Sequence, residues 1–265
     1  MTTNVIRDAH LNLVQSSRQL FELDPGVAIE AGPGWLFGAG SSSHPTISNA
    51  AFRTDDGLDP GELIERARDF FAPRKRGFAL WARVGVPADE GLLAAAQRAG
   101  LEQVYEMPAM VLAGKTKLLA PPADVELTQV ASQAEATDFW QVATEAYASN
   151  GFPQEVFAHY ENHEGLTAAN VTAFLARFAG RPAGISMTIL SHELAGIYWV
   201  GSIPEARGRG LGRAVTAAAV AAGYEMGAES ASLQASPMGE GIYRQMGFET
   251  IYRYRLFLSR PPANR

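Results

Sequence analysis

A turn rich in glycine and arginine is the stretch of this sequence whose residue types best suit chemistry. It reads Arg207-Gly-Arg-Gly-Leu-Gly-Arg213, follows a run of strand-forming residues, and leads into an alanine-rich run typical of a helix. Backbone N–H groups at a helix N-terminus have no partner within the helix, and the helix dipole favours negative charge there. Arg207, Arg209 and Arg213 add guanidinium groups, which match phosphate oxygens. The pattern therefore predicts a site for a phosphate or pyrophosphate.

The glycine spacing separates this turn from two other phosphate-binding motifs. Gly208, Gly210 and Gly212 form Gly-x-Gly-x-Gly, which differs from the Gly-x-Gly-x-x-Gly of a dinucleotide site. The complete Gly-x-x-x-x-Gly-Lys-Ser/Thr loop of nucleotide triphosphatases is absent from the sequence. A surface turn without a ligand is the remaining alternative.

Hydrophobic periodicity divides the chain into two halves of alternating helices and strands, joined by a proline-containing linker at 115–123. In the first half, helices are predicted at 4–23, 60–71 and 89–99, and strands at 27–31, 35–39, 47–53, 78–84 and 103–112. In the second half, helices are predicted at 132–148, 153–161, 209–226 and 239–246, and strands at 125–130, 170–179, 182–190, 193–202, 230–235 and 248–258.

Composition limits the classes of protein and partner. The chain has 265 residues, 47% apolar residues, a net charge of −6 and no cysteine. The negative charge disfavours a nucleic-acid partner, and the lack of cysteine excludes disulfides and thiolate chemistry. No apolar run has the length of a membrane span. These features predict a cytoplasmic protein with no membrane partner.

The two halves are related by an internal repeat. Gly100 and Gly247 each stand where a helix gives way to a strand, 147 positions apart (247 − 100 = 147). The same offset places Glu65 on Gly212 and Ala96 on Tyr243. A glutamate where a phosphate should bind would repel it, so the first half is predicted to keep the fold and lack the site. The alternative is a chance similarity of two unrelated halves.

The turn and the residues around it resemble the acyl-CoA-dependent N-acetyltransferases, the GNAT superfamily. Arg207, Gly210 and Gly212 meet the family pattern Arg/Gln-x-x-Gly-x-Gly/Ala, and a helix bearing Tyr243 leads to Gly247-Phe248 as in the family. The resemblance implies an α+β protein of two tandem domains, each with a mixed, mostly antiparallel twisted sheet flanked by helices. It assigns 1–117 to a degenerate domain and 118–265 to a catalytic domain.

The resemblance also implies a reaction, the transfer of an acetyl group from acetyl-CoA to a primary amine of a small molecule or peptide, with no metal ion. A non-catalytic module that binds or senses acyl-CoA is the alternative. In the family, the strand before the turn holds the pantetheine arm, and one of its N–H groups, here that of Val200, polarises the thioester carbonyl. The residues assigned to acyl-CoA in this way are Val200, Gly201, Ser202, Arg207, Gly208, Arg209, Gly210, Leu211, Gly212, Arg213 and Ser236.

Tyr243 occupies the position of the family's general acid. A phenol is protonated at neutral pH and can pass a proton to a thiolate; the alternative is that Tyr243 only packs its ring. Many family members carry a glutamate on the strand before the turn, where this sequence has Tyr198 and Trp199, so the general base is not visible.

The resemblance places the amine acceptor near the loop after the first helix of the second half. The candidate residues are Tyr147, Asn150, Phe152 and Trp199, each of which could instead belong to the core. His159 and His163 could share a helical face and bind a metal, but a solvated helix end is the favoured interpretation because no third ligand is evident. The protein is expected to be a monomer or homodimer.

Overall fold

The computed structural model describes residues 3–114, 120–157, 160 and 164–261. The chain forms two compact units, and each takes its residues from two stretches of the sequence. The C-terminal unit consists of Met1–Ser16 and Met110–Glu249, and the N-terminal unit of Ser17–Ala109 and Thr250–Arg265. The predicted domain boundary at 117/118 stays a prediction. The compact units are defined by contacts in the structure, whereas the predicted domains follow the internal repeat of the sequence.

Most predicted elements are present within a few residues of their expected ends. The helices are α1 (Thr3–Glu22), α2 (Pro60–Phe71), α3 (Pro87–Arg98), α4 (Gln133–Ala148), α5 (Leu211–Glu225) and α6 (Glu240–Gln245). The strands are β1 (Ala28–Gly32), β2 (Trp35–Ala39), β3 (Asn49–Arg53), β4 (Phe78–Val84), β5 (Glu102–Ala113), β6 (Val125–Gln129), β7 (Val171–Phe178), β8 (Arg181–Ser191), β9 (Leu194–Ser202), β10 (Ser230–Gln234) and β11 (Glu249–Ser259). None of the described helices combines the length and apolar character needed to cross a bilayer.

The C-terminal unit has a mixed sheet in the order β5-β10-β9-β8-β7-β6, with β5 contributing its last residues. Strands β6 to β9 form an antiparallel meander, and β10 runs parallel to β9 after the crossover through α5. The alanine-rich α5 buries Leu211, Val215, Ala219 and Val220. Small residues let this helix lie close to the sheet: a Cβ on Gly223 would stand 2.3 Å from that of Ala195. The sheet and α5 together fix the turn that precedes the helix.

The N-terminal unit repeats this arrangement. Its strands lie in the order β1-β2-β3-β4-β11-β5, with β1 to β3 antiparallel, β4 parallel to β3, and β11 antiparallel to β4. Gly100 and Gly247, the two repeat positions, both have positive φ, +71° and +94°, where glycine is the favoured residue. The mixed sheets flanked by helices confirm the predicted fold class.

The predicted helix at 153–161 is wrong within the described residues. A single 3-10 turn, Gln154–Val156, follows the tight turn at Gly151, whose φ is +88°. The chain then places Phe157 in the core, 2% exposed, with its ring centroid 5.6 Å from that of Tyr147. Packing of this aromatic residue outweighs the weak helical periodicity of a short segment. His159 and His163 lie outside the described residues.

Candidate active site

The turn lies at the end of a strand that has an open edge. Pairing between β9 and β10 is limited to Leu194–Gly196 with Ser230–Ser232. Beyond Gly196, β9 keeps β8 as its registered neighbour over the described part of the chain. Over residues 197–202 this edge has no registered partner strand among the described residues, so its backbone N–H and C=O groups could pair with an extended ligand.

A β-bulge redirects the backbone within this open segment. Met187 pairs with Tyr198 and Ile185 with Gly201, so two residues, Trp199 and Val200, stand opposite Ser186. Trp199 has φ +52°, which is rare for a bulky side chain and is stabilised here by the surrounding packing. Bulges of this kind re-aim backbone and side-chain groups beside active sites.

The glycine-rich turn exposes the N-terminus of α5. Gly208 and Gly210 have φ of +76° and +81°, and Gly210 is the N-cap, with no side chain that hydrogen-bonds to the helix. A Cβ on Gly208 or Gly212 would meet no atom within 4 Å, so neither glycine is required by protein packing. The first turn of α5 contains no acidic residue. Uncapped N–H groups with free space above them suit an anion.

In the N-terminal unit, the helix at the corresponding repeat position has a side-chain cap at its N-terminus. The N-cap of α2 is Asp59, whose carboxylate accepts from the N–H of Glu62, and Glu62 adds a charge in the first turn. Helix α2 also begins earlier than α5 in the repeat, because Pro60 corresponds to Arg207 (207 − 60 = 147). A protein carboxylate therefore takes the place that a phosphate would have.

All three arginines of the turn contact protein groups in this structure. Arg207 donates to the carbonyl of Ala146 and to Ser149 Oγ at the end of α4. The guanidinium carbon of Arg209 lies 4.7 Å from the centre of the Phe178 ring. Arg213 donates to Gln245 Oε1 at 2.5 Å. Their charges are concentrated at the turn, and Arg207 also links it to the end of α4.

Tyr243 lies in α6, buried to 8% exposure, in an apolar cluster that contains Ile197 and Phe248 and against which Val200 packs. Burial raises the pKa of Tyr243 to about 12, and hydrogen bonding with the side chain of Thr216 acts in the opposite direction. Burial likewise raises the pKa of Tyr147, and the charge of an ionised Tyr243 would raise it further. The two phenol groups are thus close enough for the charge of Tyr243 to affect the pKa of Tyr147, and both lie beside the open segment of β9.

Five aromatic rings surround the bulge residue Trp199 or extend the packing around it. Tyr147 is closest, with ring centroids 5.2 Å apart, and its hydroxyl lies 3.4 Å from the carbonyl oxygen of Val200. The other rings of this aromatic cluster are Trp140, Phe152, Phe157 and Tyr160. The sequence analysis identified Tyr147, Phe152 and Trp199 and missed the rest. The spacing of Trp140 and Tyr147, seven positions along a helix, was the available signal that they share a face.

The remaining candidates occupy more peripheral places. Asn150 is exposed in the turn after α4, where its N–H donates to the carbonyl of Tyr147. Ser236 is exposed, and its hydroxyl accepts from the N–H of Gly239 at the start of α6. Leu211 is buried, so only its backbone faces the turn. Among the described residues, no group of three or more acidic or histidine side chains is arranged to hold a metal ion.

The N-terminal unit fills the position of the bulge with a buried ionic cluster. Arg53, at the end of β3, corresponds by the repeat to Val200 (200 − 53 = 147). It pairs with Asp89 at 2.5 Å, and Arg83 of β4 pairs with the same carboxylate at 2.8 Å. These three side chains are 2–3% exposed. Charged side chains thus lie at the strand end that corresponds, by the repeat, to the open segment of β9.

The same fold occurs in solved structures. No family model and no curated protein matches the sequence. A GCN5-related N-acetyltransferase from Kribbella flavida is 21% identical, covers 96% of both chains and has a TM-score of 0.71. Another from Sphaerobacter thermophilus is 14% identical over 100% of this chain and 96% of its own, with a TM-score of 0.63.

A third solved structure is described as a tandem GNAT protein from the clavulanic acid biosynthesis pathway. It is 15% identical, covers 96% of this chain and 97% of its own, and has a TM-score of 0.61. The three matches agree over nearly the full length of each protein. The chain therefore has the fold of the GCN5-related N-acetyltransferases.

Proposed function

We propose that the C-terminal unit transfers an acetyl group from acetyl-CoA to a primary amine of a small molecule or peptide. The observation that carries the proposal is the uncapped N-terminus of α5 directly after the open segment of β9. The first feature suits a pyrophosphate and the second an extended, amide-containing arm, and CoA contains both in that order. The fold shared with named N-acetyltransferases supports the same assignment.

Each part of the site has a role in this reaction. Acetyl-CoA supplies the activated acyl group as a thioester. The N–H groups from Arg207 to Arg213 hold its pyrophosphate, and the backbone of Val200, Gly201 and Ser202 lies along its pantetheine arm. The N–H of Val200 polarises the carbonyl that the amine attacks, which is the role of an oxyanion-hole donor. Tyr243 donates a proton to the departing thiolate.

The acceptor binds beside the aromatic cluster. Tyr147, Phe152 and Trp199 form its wall, and Asn150 lies at the exposed end of α4. No described carboxylate hydrogen-bonds to Tyr147, Trp199 or Tyr243. Because a carboxylate base is missing from these contacts, removal of the amine proton is assigned to water.

Replacing Gly212 with glutamate is expected to weaken the binding of acetyl-CoA without lowering the stability of the protein. A Cβ at Gly212 would meet no atom within 4 Å outside its own stretch of helix, and a glutamate in the first turn of a helix is favourable, so the unfolding free energy should not fall. The new carboxylate would lie in the first turn of α5 and repel the phosphates. We expect the affinity for acetyl-CoA to fall at least about 100-fold, or about 2.7 kcal/mol, measured by isothermal titration calorimetry.

The matched control is Gly91→Glu in α3, an exposed helical glycine whose Cβ would lie in ordinary contact, 3.5 Å, with Pro60. This variant should bind acetyl-CoA like the wild type. Wild-type protein that binds no acetyl-CoA in the micromolar range, or Gly212→Glu protein that binds it normally, would contradict the proposal.

A panel of primary amines separates an enzyme from a module that only binds acyl-CoA. Free thiol is measured with acetyl-CoA and each amine in turn, and with acetyl-CoA alone. Thiol release that requires an amine supports acetyl transfer. Tight acetyl-CoA binding without release for any amine would favour the binding module.

A further inference from the structure

Asn12 is the most heavily hydrogen-bonded side chain near the open strand. It is fully buried and comes from the part of α1 that belongs to the C-terminal unit. Its amide nitrogen lies within 3.1 Å of the carbonyl oxygens of Ile189, Ser191 and Leu194 and of Ser191 Oγ. Its amide oxygen accepts from the hydroxyl of Tyr198 at 2.6 Å. Acceptors around the nitrogen and a donor at the oxygen allow only one orientation of the amide.

Gly196 of β9 provides independent evidence that the strand accommodates the contact between Asn12 and Tyr198. A Cβ at that position would stand 1.9 Å from Asn12 Oδ1 and 2.5 Å from the ring of Tyr198. Gly196 does not have a positive φ, so its backbone conformation does not require glycine. The close approach of Asn12 and the tyrosine ring is therefore the reason for a glycine here.

Tyr198 is the last residue of β9 in regular register before the bulge. The next residue, Trp199, adopts positive φ, and Val200 follows. On the far side of the bulge, pairing resumes at Gly201 with Ile185. Tyr198, which hydrogen-bonds to Asn12, is thus the residue from which the chain enters the bulge that contains Val200.

We propose that Asn12 is a positioning residue for the catalytic strand, which acts through Tyr198 to direct the N–H of Val200. This inference rests on the proposed acetyl transfer. It gives the first helix of the chain a part in a reaction whose other residues all lie beyond position 140. In the proposed reaction, Asn12 itself touches no reacting atom.

Tyr198→Phe tests the inference because it removes one hydroxyl and keeps the ring. Acetyl-CoA labelled with ¹³C at the thioester carbonyl is added to the protein, and the carbonyl stretching band is recorded by infrared difference spectroscopy. In wild-type protein, hydrogen bonding to Val200 should shift the band to lower frequency. In Tyr198→Phe the shift should shrink while the dissociation constant for acetyl-CoA changes less than about twofold, because the pyrophosphate contacts are intact. Asn12→Ala should give the same change.

The matched control is Tyr252→Phe in the N-terminal unit. This change also removes one hydroxyl from a buried tyrosine, whose oxygen lies 2.9 Å from the hydroxyl oxygen of Tyr254. It should keep the wild-type carbonyl shift. With an amine identified in the panel, kcat of Tyr198→Phe should fall about 10- to 100-fold, the range for a displaced donor, without a matching change in KM for acetyl-CoA.

The outcomes are distinct. Failure of wild-type protein to bind acetyl-CoA overturns the proposed function, and this inference with it. Normal binding with an equal carbonyl shift in wild-type and Tyr198→Phe protein overturns the positioning role alone. A reduced shift in Tyr252→Phe as well would assign the effect to general destabilisation and also overturn it.

Discussion

Replacing Tyr243 with phenylalanine is expected to lower kcat about 100- to 10,000-fold, the usual contribution of a positioned general acid. The ring stays in place, so its packing against Phe248, with ring centroids 6.0 Å apart, is kept. The dissociation constant for acetyl-CoA should therefore change little. Steady-state kinetics with calorimetry on the same preparation provide the measurement.

The pH profile gives a second check on Tyr243. Burial raises the pKa of its phenol to about 12. The group therefore keeps its proton throughout the range in which a thiolate, whose acid has a pKa of about 8.5, must be protonated. Deprotonation of Tyr243 should not lower wild-type kcat between pH 7 and about pH 10.

A matched phenol lies elsewhere in the same unit. Tyr224, in α5, donates to the carbonyl of Gly114. The change Tyr224→Phe should leave kcat within about twofold of wild type, because the lost hydroxyl bonds to Gly114, which has no part in the proposed reaction. Unchanged turnover in Tyr243→Phe would show that this tyrosine only packs its ring.

The change Asp89→Ala is expected to cost about 3–5 kcal/mol of unfolding free energy, the range for breaking a buried ion pair by removing one partner. The carboxylate is 2% exposed and accepts from the side chains of Arg53 and Arg83 and from the backbone N–H of Arg83. Its loss leaves two buried guanidinium groups with too few acceptors. Urea unfolding followed by tryptophan fluorescence measures the change.

The stability should also depend on pH through Asp89. Burial by itself would raise the pKa of this carboxyl, but the hydrogen bonds and charge of Arg83, with the charge of Arg53, hold it below its ordinary value. A lowered pKa in the folded state stabilises the protein above the unfolded-state pKa of about 3.9. This contribution is lost as the pH falls through the folded-state pKa, so the wild type should lose stability on acidification more steeply than Asp89→Ala.

An exposed ion pair in the same unit provides the control. Glu62 pairs with Arg66 at 2.7 Å, and both side chains are nearly half exposed. Glu62→Ala should change the unfolding free energy by less than about 1 kcal/mol, as exposed pairs do. If Asp89→Ala cost no more than this control, the ionic cluster would not be what stabilises the N-terminal unit.

The sequence contained enough information to predict most helices and strands. Alternation and helical periodicity placed α2 and β4 at their observed bounds, because each buries one continuous apolar face. The helix predicted at 153–161 failed because the segment is short and Phe157 packs against Tyr147, a partner that lies outside the local pattern. Local periodicity cannot report such contacts.

The glycine-rich turn was predictable because its features are local. Gly208 and Gly210 are adjacent in sequence to the helix that they precede, and their positive φ values follow from a tight turn. The glutamate at position 65 predicted a first half without the site, but the structure places Glu65 in the second turn of α2, and the carboxylate at the N-terminus of that helix is Asp59. The structure adds a second, non-local reason, since the ionic cluster of Arg53, Arg83 and Asp89 occupies the corresponding strand end.

The sequence by itself determined the order of elements and the glycine-rich turn before α5, because short-range spacing decides these features. Only the tertiary structure decided the bulge at Trp199, the aromatic cluster around it and the contact between Asn12 and Tyr198. These depend on residues as much as 186 positions apart, which meet only when strands and helices pack. A hydrogen bond of that kind has no signature in local sequence, since its energy depends on a burial that the whole fold creates.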